Sequence, residues 1–302
     1  MNPPPVATNS GLAPGASTAR TVLDLLVGGS IEMGPDHVAE VQEIAPLLPA
    51  GTRVYVNHPP RNTLAQAHPA LKALRAAGLE PVAHIAARRL ASRAELKSFL
   101  QRAADEAGLS KVLLLGGDAP QPLGPYSSGL DALRDGPLAD HGIREIGLPG
   151  YPEGHPQIPQ AAIEQALAEK LALAAAQGLG AHVVTQFSFA PARIVEYCSA
   201  LGRRHSSTPV YVGIAGPTDA RTLLRFAKRC GVSASLRAMQ SQGMNAVRIF
   251  LHTDPREQLA EIARYCAGQA SPNVVGAHLF SFGGAPKTAA WLNRQITSSG
   301  RS

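Results

Sequence analysis

The sequence predicts an α/β protein with one domain, an eight-stranded (β/α)8 TIM-type barrel, and three observations carry that expectation. From residue 21 onward, short β-type runs alternate with longer helix-like segments. Most of the runs end in Gly, Pro, Asn or Asp. No strand is followed by GxGxxG or GxxxxGKS/T, the phosphate-binding fingerprints of open doubly wound sheets. The 302 residues suffice for one such barrel, and 45% hydrophobic against 17% charged residues excludes a disordered chain.

The eight runs, in order, are Val27 to Met33, Thr52 to Asn57, Glu80 to Ile85, Lys111 to Gly116, Ile143 to Gly147, Ala181 to Phe187, Pro209 to Ile214, and Val274 to Phe282. Between the third and fourth, Ser92 and Glu95 stand in capping-box spacing and open a helix over Arg93 to Ala107. Pro159 to Ala175 is rich in the helix formers Ala, Leu, Glu and Gln. The last interval, Gly216 to Asn273, is longer. It holds helical stretches Asp219 to Cys230 and Pro255 to Cys266 around an ambiguous run, Ala246 to Leu251, which keeps an open sheet as the alternative. Residues 1–20, rich in Pro, Ser and Gly, read as a disordered tail, 21–296 as the barrel and 297–302 as a second tail.

Lysine and arginine total 28 against 22 acidic residues, a formal net charge of +6 that favours anionic partners. The basic residues are scattered, as at Arg88-Arg89, Arg203-Arg204 and Lys228-Arg229, and aromatic residues make up only 5%. An anionic small molecule therefore fits better than nucleic acid. Cys198, Cys230 and Cys266 show no CxxC spacing and are odd in number, which predicts no disulfide framework and a reducing cytoplasm. The first residues lack the basic-then-apolar pattern of a secretory leader. The longest uncharged run, Leu171 to Ala192, is broken by Gln177, Gly178, Gly180 and Pro191, so no membrane partner is expected.

In such a barrel, chemistry collects where strands end and helices have not begun. Glu32, Asp118 and Gln186 all fall there, on the first, fourth and sixth strands, so two carboxylates and a carboxamide are expected to face one pocket. Glu32 ends an apolar strand, where burial would raise its pKa and make it a general acid near neutrality. The plainer readings are a core acid paired with an arginine for Glu32 and a helix cap for Asp118. After strand five, Tyr151-Pro-Glu-Gly-His-Pro156 joins an aromatic, an acid and an imidazole in a loop stiffened by proline; it suits ligand contact, or is a turn in which His155 does nothing. His84 and His278 lie on strands without metal-ligand spacing, so no metal site is expected. No GxSxG elbow appears, and the cysteines sit on helix-like stretches away from the rim.

Taken together, Ser30-Ile-Glu32, Gly117-Asp118-Ala-Pro120, Gly150-Tyr-Pro-Glu-Gly-His-Pro156, Thr185-Gln-Phe-Ser-Phe189 and Gly213-Ile-Ala-Gly-Pro217 resemble the methylenetetrahydrofolate reductase family in order and approximate spacing over residues 27–296. The resemblance implies a barrel that passes hydride between NADH or NADPH and a tetrahydrofolate derivative through FAD, interconverting 5,10-methylenetetrahydrofolate and 5-methyltetrahydrofolate. It gives Glu32 the role of the acid that protonates folate N5, Asp118 that of the acid beside flavin and pterin that steadies a cationic iminium, and Gln186 a folate contact. His84, Gly117, Asp118, Tyr151 and His155 match flavin contacts, and Lys170 the position of a phosphate-binding lysine. The chain departs from the family at Gly116, where an arginine is usual, at Val56-Asn-His-Pro-Pro60, and at Leu279-Phe-Ser-Phe-Gly-Gly284. The first two fall on flavin contacts. A flavin-independent reductase of the same substrate, a folate-dependent methyltransferase on a pterin-binding barrel and a non-enzymatic folate binder are the alternatives. A homo-oligomer is compatible with all of them.

Overall fold

The computed structural model describes residues 22–230, 232, 255–269 and 272–299. Eight parallel strands close into a barrel in chain order, β1 to β8: Ser30–Met33, Arg53–Val56, Glu80–Ala86, Lys111–Leu115, Glu145–Gly150, Gly180–Thr185, Val210–Ala215 and Val274–Phe280. β1 pairs with β8 as well as with β2, which excludes the open sheet. The ambiguous run Ala246 to Leu251 lies outside the described residues, as do residues 1–21. Among the described residues no helix is long and apolar enough to cross a membrane.

Local sequence accounts for most elements. The helix Arg93–Ala107 begins because Ser92 accepts the Glu95 amide at 3.1 Å while the Glu95 carboxylate accepts the Ala91 amide at 2.7 Å, and it stops at Gly108. Asp219 caps the helix Ala220–Arg229 by accepting the Thr222 amide. Several strand limits differ from the expected ones, β5 ending at Gly150 instead of Gly147 and β6 at Thr185 instead of Phe187, and three of the differences have a local cause. Residues 22–27 are helical, and the amides of Gly28 and Gly29 close that helix onto Asp24 O and Leu26 O, so β1 starts at Ser30 instead of Val27. β5 starts at Glu145, after the left-handed Gly142 and a return of the Ile143 amide to Leu138 O. β8 stops at Phe280, because the Phe282 amide turns back onto Phe280 O at 2.8 Å. The closing helix, Ala285–Ser299, runs past residue 296.

Outward strand residues such as Ile31, Val54, Ile85, Ile146, Val183 and Val212 pack under the helices. The barrel interior is different, because its apolar cluster of Tyr55, Val82, Leu113, Val184 and Tyr211 is interleaved with polar groups. At the N-terminal ends of the strands, Arg53 binds Glu145 at 2.9 Å, and Lys111 stands 3.6 Å from Glu80, which Arg75 holds at 2.9 Å. Above them His182 Nδ1 lies 2.7 Å from Glu145 Oε1, and its Nε2 is hydrogen-bonded with the Tyr55 hydroxyl at 3.0 Å. Charge at the floor of the barrel is thus fully paired before the rim is reached.

The rim is as tightly set. A Cβ on Gly213 would stand 2.0 Å from Thr185 O and 2.7 Å from the Phe280 ring, and the Gly213 amide already donates to Thr185 Oγ1 at 2.8 Å. Backbone cannot yield as a side chain does, so Gly213→Ala is expected to cost at least about 3 kcal/mol. Urea denaturation checks this, and a variant as stable as the parent would show that β6 and β7 can part.

Candidate active site

Glu32 is the second inward residue of β1, one pleat above Ser30. The β1–β8 register sets Ser30 opposite His278. Ser30 Oγ and His278 Nδ1 are 2.8 Å apart, and His278 Nε2 reaches Glu32 Oε1 at 3.2 Å. From β3, His84 Nε2 stands 3.6 Å from the same oxygen with no hydrogen-bond partner among the described residues. The Tyr55 ring meets both imidazoles edge-on, at 5.7 Å for His84 and 4.6 Å for His278. Ser30 and His278 are fully buried, and the Glu32 side chain is 13% exposed.

This cluster corrects one expectation. Burial raises the Glu32 carboxyl, as anticipated, but the hydrogen bond from His278 and the charge of that imidazole outweigh it, and the carboxyl ends below its usual value. Nor is an arginine its partner among the described residues. Burial also holds His84 neutral, with a pKa of about 4. Glu32 is therefore a carboxylate set between two imidazoles, from β8 on one side of its strand and from β3 on the other. Among the described residues no group of three or more His, Cys, Asp or Glu is arranged to hold a metal ion.

Gln186 follows β6, its amide bonded to Gly150 O at 2.8 Å, and its side-chain oxygen accepts the Phe187 amide at 3.2 Å. Cys230, just past the helix Ala220–Arg229, lies within electrostatic reach of both Gln186 and Glu32. Burial chiefly pushes that thiol up to about 11, so it stays protonated. Cys230 was expected away from the rim and instead feels the rim groups Glu32 and Gln186. No sequence signal marks it, because the helix that carries it must first fold over the barrel mouth.

Asp118 lies further out. It follows β4 through Gly117, whose φ of +91° only glycine adopts freely and whose Cβ would press on Ala86 Cβ at 3.2 Å. The Asp118 side chain is 60% exposed and pairs with Arg89, which follows β3 and is itself only 10% exposed. That guanidinium outweighs partial burial and holds the carboxyl below its usual value, with Arg229 adding to the effect. Asp118 is not a helix cap. Ser128 has that place for the next helix, accepting the Asp131 amide at 3.2 Å. The preceding Arg88 staples the loop between, donating to the carbonyls of Ala119, Pro120 and Ser127. The arginine beside Asp118 thus comes from the neighbouring strand end.

Glu32 and Gln186 both act electrostatically on the Cys230 thiol, and the charge of Arg229 acts on Asp118. Above them stands an aromatic wall. Phe226 stacks on Phe282 at 4.2 Å, Phe282 on Phe280 at 5.6 Å, and Phe280 meets the His278 ring at 4.9 Å; Phe187 and Phe189 complete the cluster. Five of the seven phenylalanines therefore gather at this rim, enough for a flat ring system despite the low aromatic content.

A cavity of about 830 Å³ lies apart from Glu32. It opens beside β5, between the helices Gln160–Ala176 and Pro191–Arg204, and is lined by Tyr151, His155, Ile163, Leu167, Tyr197 and Arg204. Tyr151 and His155 meet edge-on at 5.4 Å. Lys170 is not part of that lining. It shares a helix stripe with Ile163, Leu167 and Ala174, and burial lowers its pKa.

Fold and rim together define a (β/α)8-barrel enzyme with a buried acid held at the C-terminal ends of its strands. Comparison with known proteins narrows the class. The family profile described as methylenetetrahydrofolate reductase matches residues 61–242, more than half of the chain. The chain belongs to the methylenetetrahydrofolate reductase family, folate-linked enzymes. Among solved structures, it is similar to dihydropteroate synthase from Thermus thermophilus in complex with 6HMPPP, with 12% identity over 90% of this chain and 91% of that one and a TM-score of 0.47. It is also similar to the Burkholderia cenocepacia dihydropteroate synthase, with 14% identity over 90% of each chain and a TM-score of 0.44.

Proposed function

We propose that this enzyme interconverts 5,10-methylenetetrahydrofolate and 5-methyltetrahydrofolate, with NADH or NADPH as soluble electron partner and FAD as the bound cofactor. The observation that carries this reading is Glu32, a buried acid hydrogen-bonded to His278 beside Gln186 and a wall of phenylalanines. Opening the folate ring requires a proton on an amine nitrogen, since a neutral amine leaves far more easily than its anion, and Glu32 is the group placed to deliver it. The cationic iminium exposed at that point needs a negative charge, which Asp118 supplies from the outer rim. Gln186 offers an amide donor and acceptor to the polar edge of a pterin, while the phenylalanines exclude water.

The residues on the β3–β5 side fit a flavin. Gly117 presents bare backbone, His84 Nε2 is a buried nitrogen without a partner among the described residues, and Tyr151 and His155 open onto a cavity large enough for part of a dinucleotide. These four would hold it. When bound, FAD supplies the two-electron carrier between nicotinamide and folate. One observation favours a second reading, direct transfer from nicotinamide to folate: Gly116 leaves open space where flavin-binding relatives usually have an arginine.

The absorbance spectrum of the purified protein separates the two. Flavin absorbance, retained or gained on reconstitution, supports the first. A colourless protein that gains no flavin yet still converts the folate selects the second. Within either, Asp118→Asn is expected to slow the folate step by about tenfold or more through loss of charge. Its thermal stability should barely move, because the Asp118 side chain is 60% exposed and asparagine can still accept from Arg89. An unchanged folate rate would leave Asp118 only the task of holding Arg89.

A further inference from the structure

Glu32 is ionised at rest, yet the proposed chemistry needs it to give up a proton. The geometry supplies a source. His278 Nε2 is 3.2 Å from Glu32 Oε1, and its other nitrogen is fixed at 2.8 Å by Ser30 Oγ, with both Ser30 and His278 fully buried. We propose that Glu32 and His278 are one proton-donor unit, in which His278 holds the proton between turnovers and Glu32 hands it to the folate amine. The unit rests on the folate reading above. His278 acts through Glu32 and is a positioning, proton-holding residue.

The surrounding groups leave room for one proton only. His84, from β3, faces the same carboxylate oxygen but is held neutral by burial, with a pKa of about 4. Tyr55, from β2, touches the His278 ring and directs its hydroxyl to His182 on β6, whose Nδ1 is in turn occupied by Glu145 beside Arg53. Cys230, beyond Glu32, keeps its thiol proton, and Gln186 does not titrate. Of the groups set around Glu32, His278 is thus the one that hydrogen-bonds its carboxylate.

The step balances. The Nε2–H bond of the imidazolium breaks and an O–H bond forms on Glu32 Oε1, leaving a neutral imidazole whose Nδ1–H points to Ser30 Oγ. Glu32 passes that proton to the folate nitrogen as its bond to the methylene carbon opens, the electron pair staying on nitrogen. The unit regains a proton from water through the slightly exposed face of Glu32.

Infrared difference spectroscopy of the protonated-carboxyl band, identified by its loss in Glu32→Gln, tests this against pH. In the wild type, folate turnover should persist at pH values where Glu32 shows no such band. In His278→Gln the band should move to higher pH, because burial is no longer opposed, and turnover should then follow the band. Ser30→Ala should move it in the same direction by less, and serves if His278→Gln does not fold. Wild-type turnover that ends where the band ends would make Glu32 its own proton store and overturn the proposal; so would a band unmoved in both variants. A wild type that converts no folate defeats the functional reading, and the movement of the band still decides the pairing.

Discussion

Replacing Glu32 with glutamine is expected to cut folate turnover by about 10²- to 10⁴-fold, the usual contribution of a positioned acid. Folate binding should survive. Glutamine keeps the shape of the side chain and can still bond His278 Nε2, so the hydrogen bond that spans β1 and β8 is retained in a neutral form. What disappears is the carboxyl proposed to hand a proton to the folate nitrogen. Electron transfer from nicotinamide to any bound flavin makes no use of that proton and should continue at its wild-type rate. Rapid-mixing measurement of the two half-reactions separates these effects. Equal folate turnover in variant and wild type would remove Glu32 from the chemistry.

The second large effect concerns stability and lies at the opposite end of the barrel. Partial burial raises Glu145, but the hydrogen bond and charge of His182 outweigh it, with Arg53 and Lys111 adding to them, and its pKa falls from 4.5 to about 2. A carboxyl depressed on folding contributes stability that is fully present above pH 4.5 and is lost as pH falls through 2. At about 1.4 kcal/mol per unit, that shift is worth about 3 kcal/mol. Glu145→Gln is therefore expected to lose about 3 kcal/mol at neutral pH, since it also strands a buried imidazole and a partly buried guanidinium. Its stability curve should be flatter than the parent's below pH 4.5. Urea denaturation across that range measures both. Parallel curves would show that Glu145 does not carry the acid sensitivity.

The barrel is legible in the sequence because parallel strands buried on both faces read as short apolar runs between helical stretches, and eight of them alternate in this chain. Their ends are less legible. Val27 to Gly29 looks like strand, yet the glycine pair closes a helix whose carbonyls lie just upstream. The strand-end positions of Glu32, Asp118 and Gln186 follow directly from the pattern. What each side chain meets does not, because that depends on register across the closed sheet. His278 is 246 residues from Glu32 and faces it only because β8 pairs with β1 at Ser30. Arg89 reaches Asp118 by the same logic, from the adjacent strand end. Burial alone, all that an apolar strand end reveals, predicts the wrong direction for the Glu32 carboxyl. The imidazole that reverses it is visible only in three dimensions.

Cys230 shows a different limit. Its neighbours in sequence describe an amphipathic helix end, and nothing local says that this end covers the barrel mouth. Phe226 and Phe282 give the reason after the fact, since their stacked rings draw the helix inward over β8.

The most direct measurement is product analysis by mass spectrometry after the purified protein is incubated with 5,10-methylenetetrahydrofolate, reduced nicotinamide and FAD, and in the reverse direction with 5-methyltetrahydrofolate and an oxidant. Formation of 5-methyltetrahydrofolate, or its consumption in reverse, abolished in both directions by Glu32→Gln, is the predicted result. Folate unchanged in both directions would contradict the assignment of this rim to folate redox chemistry.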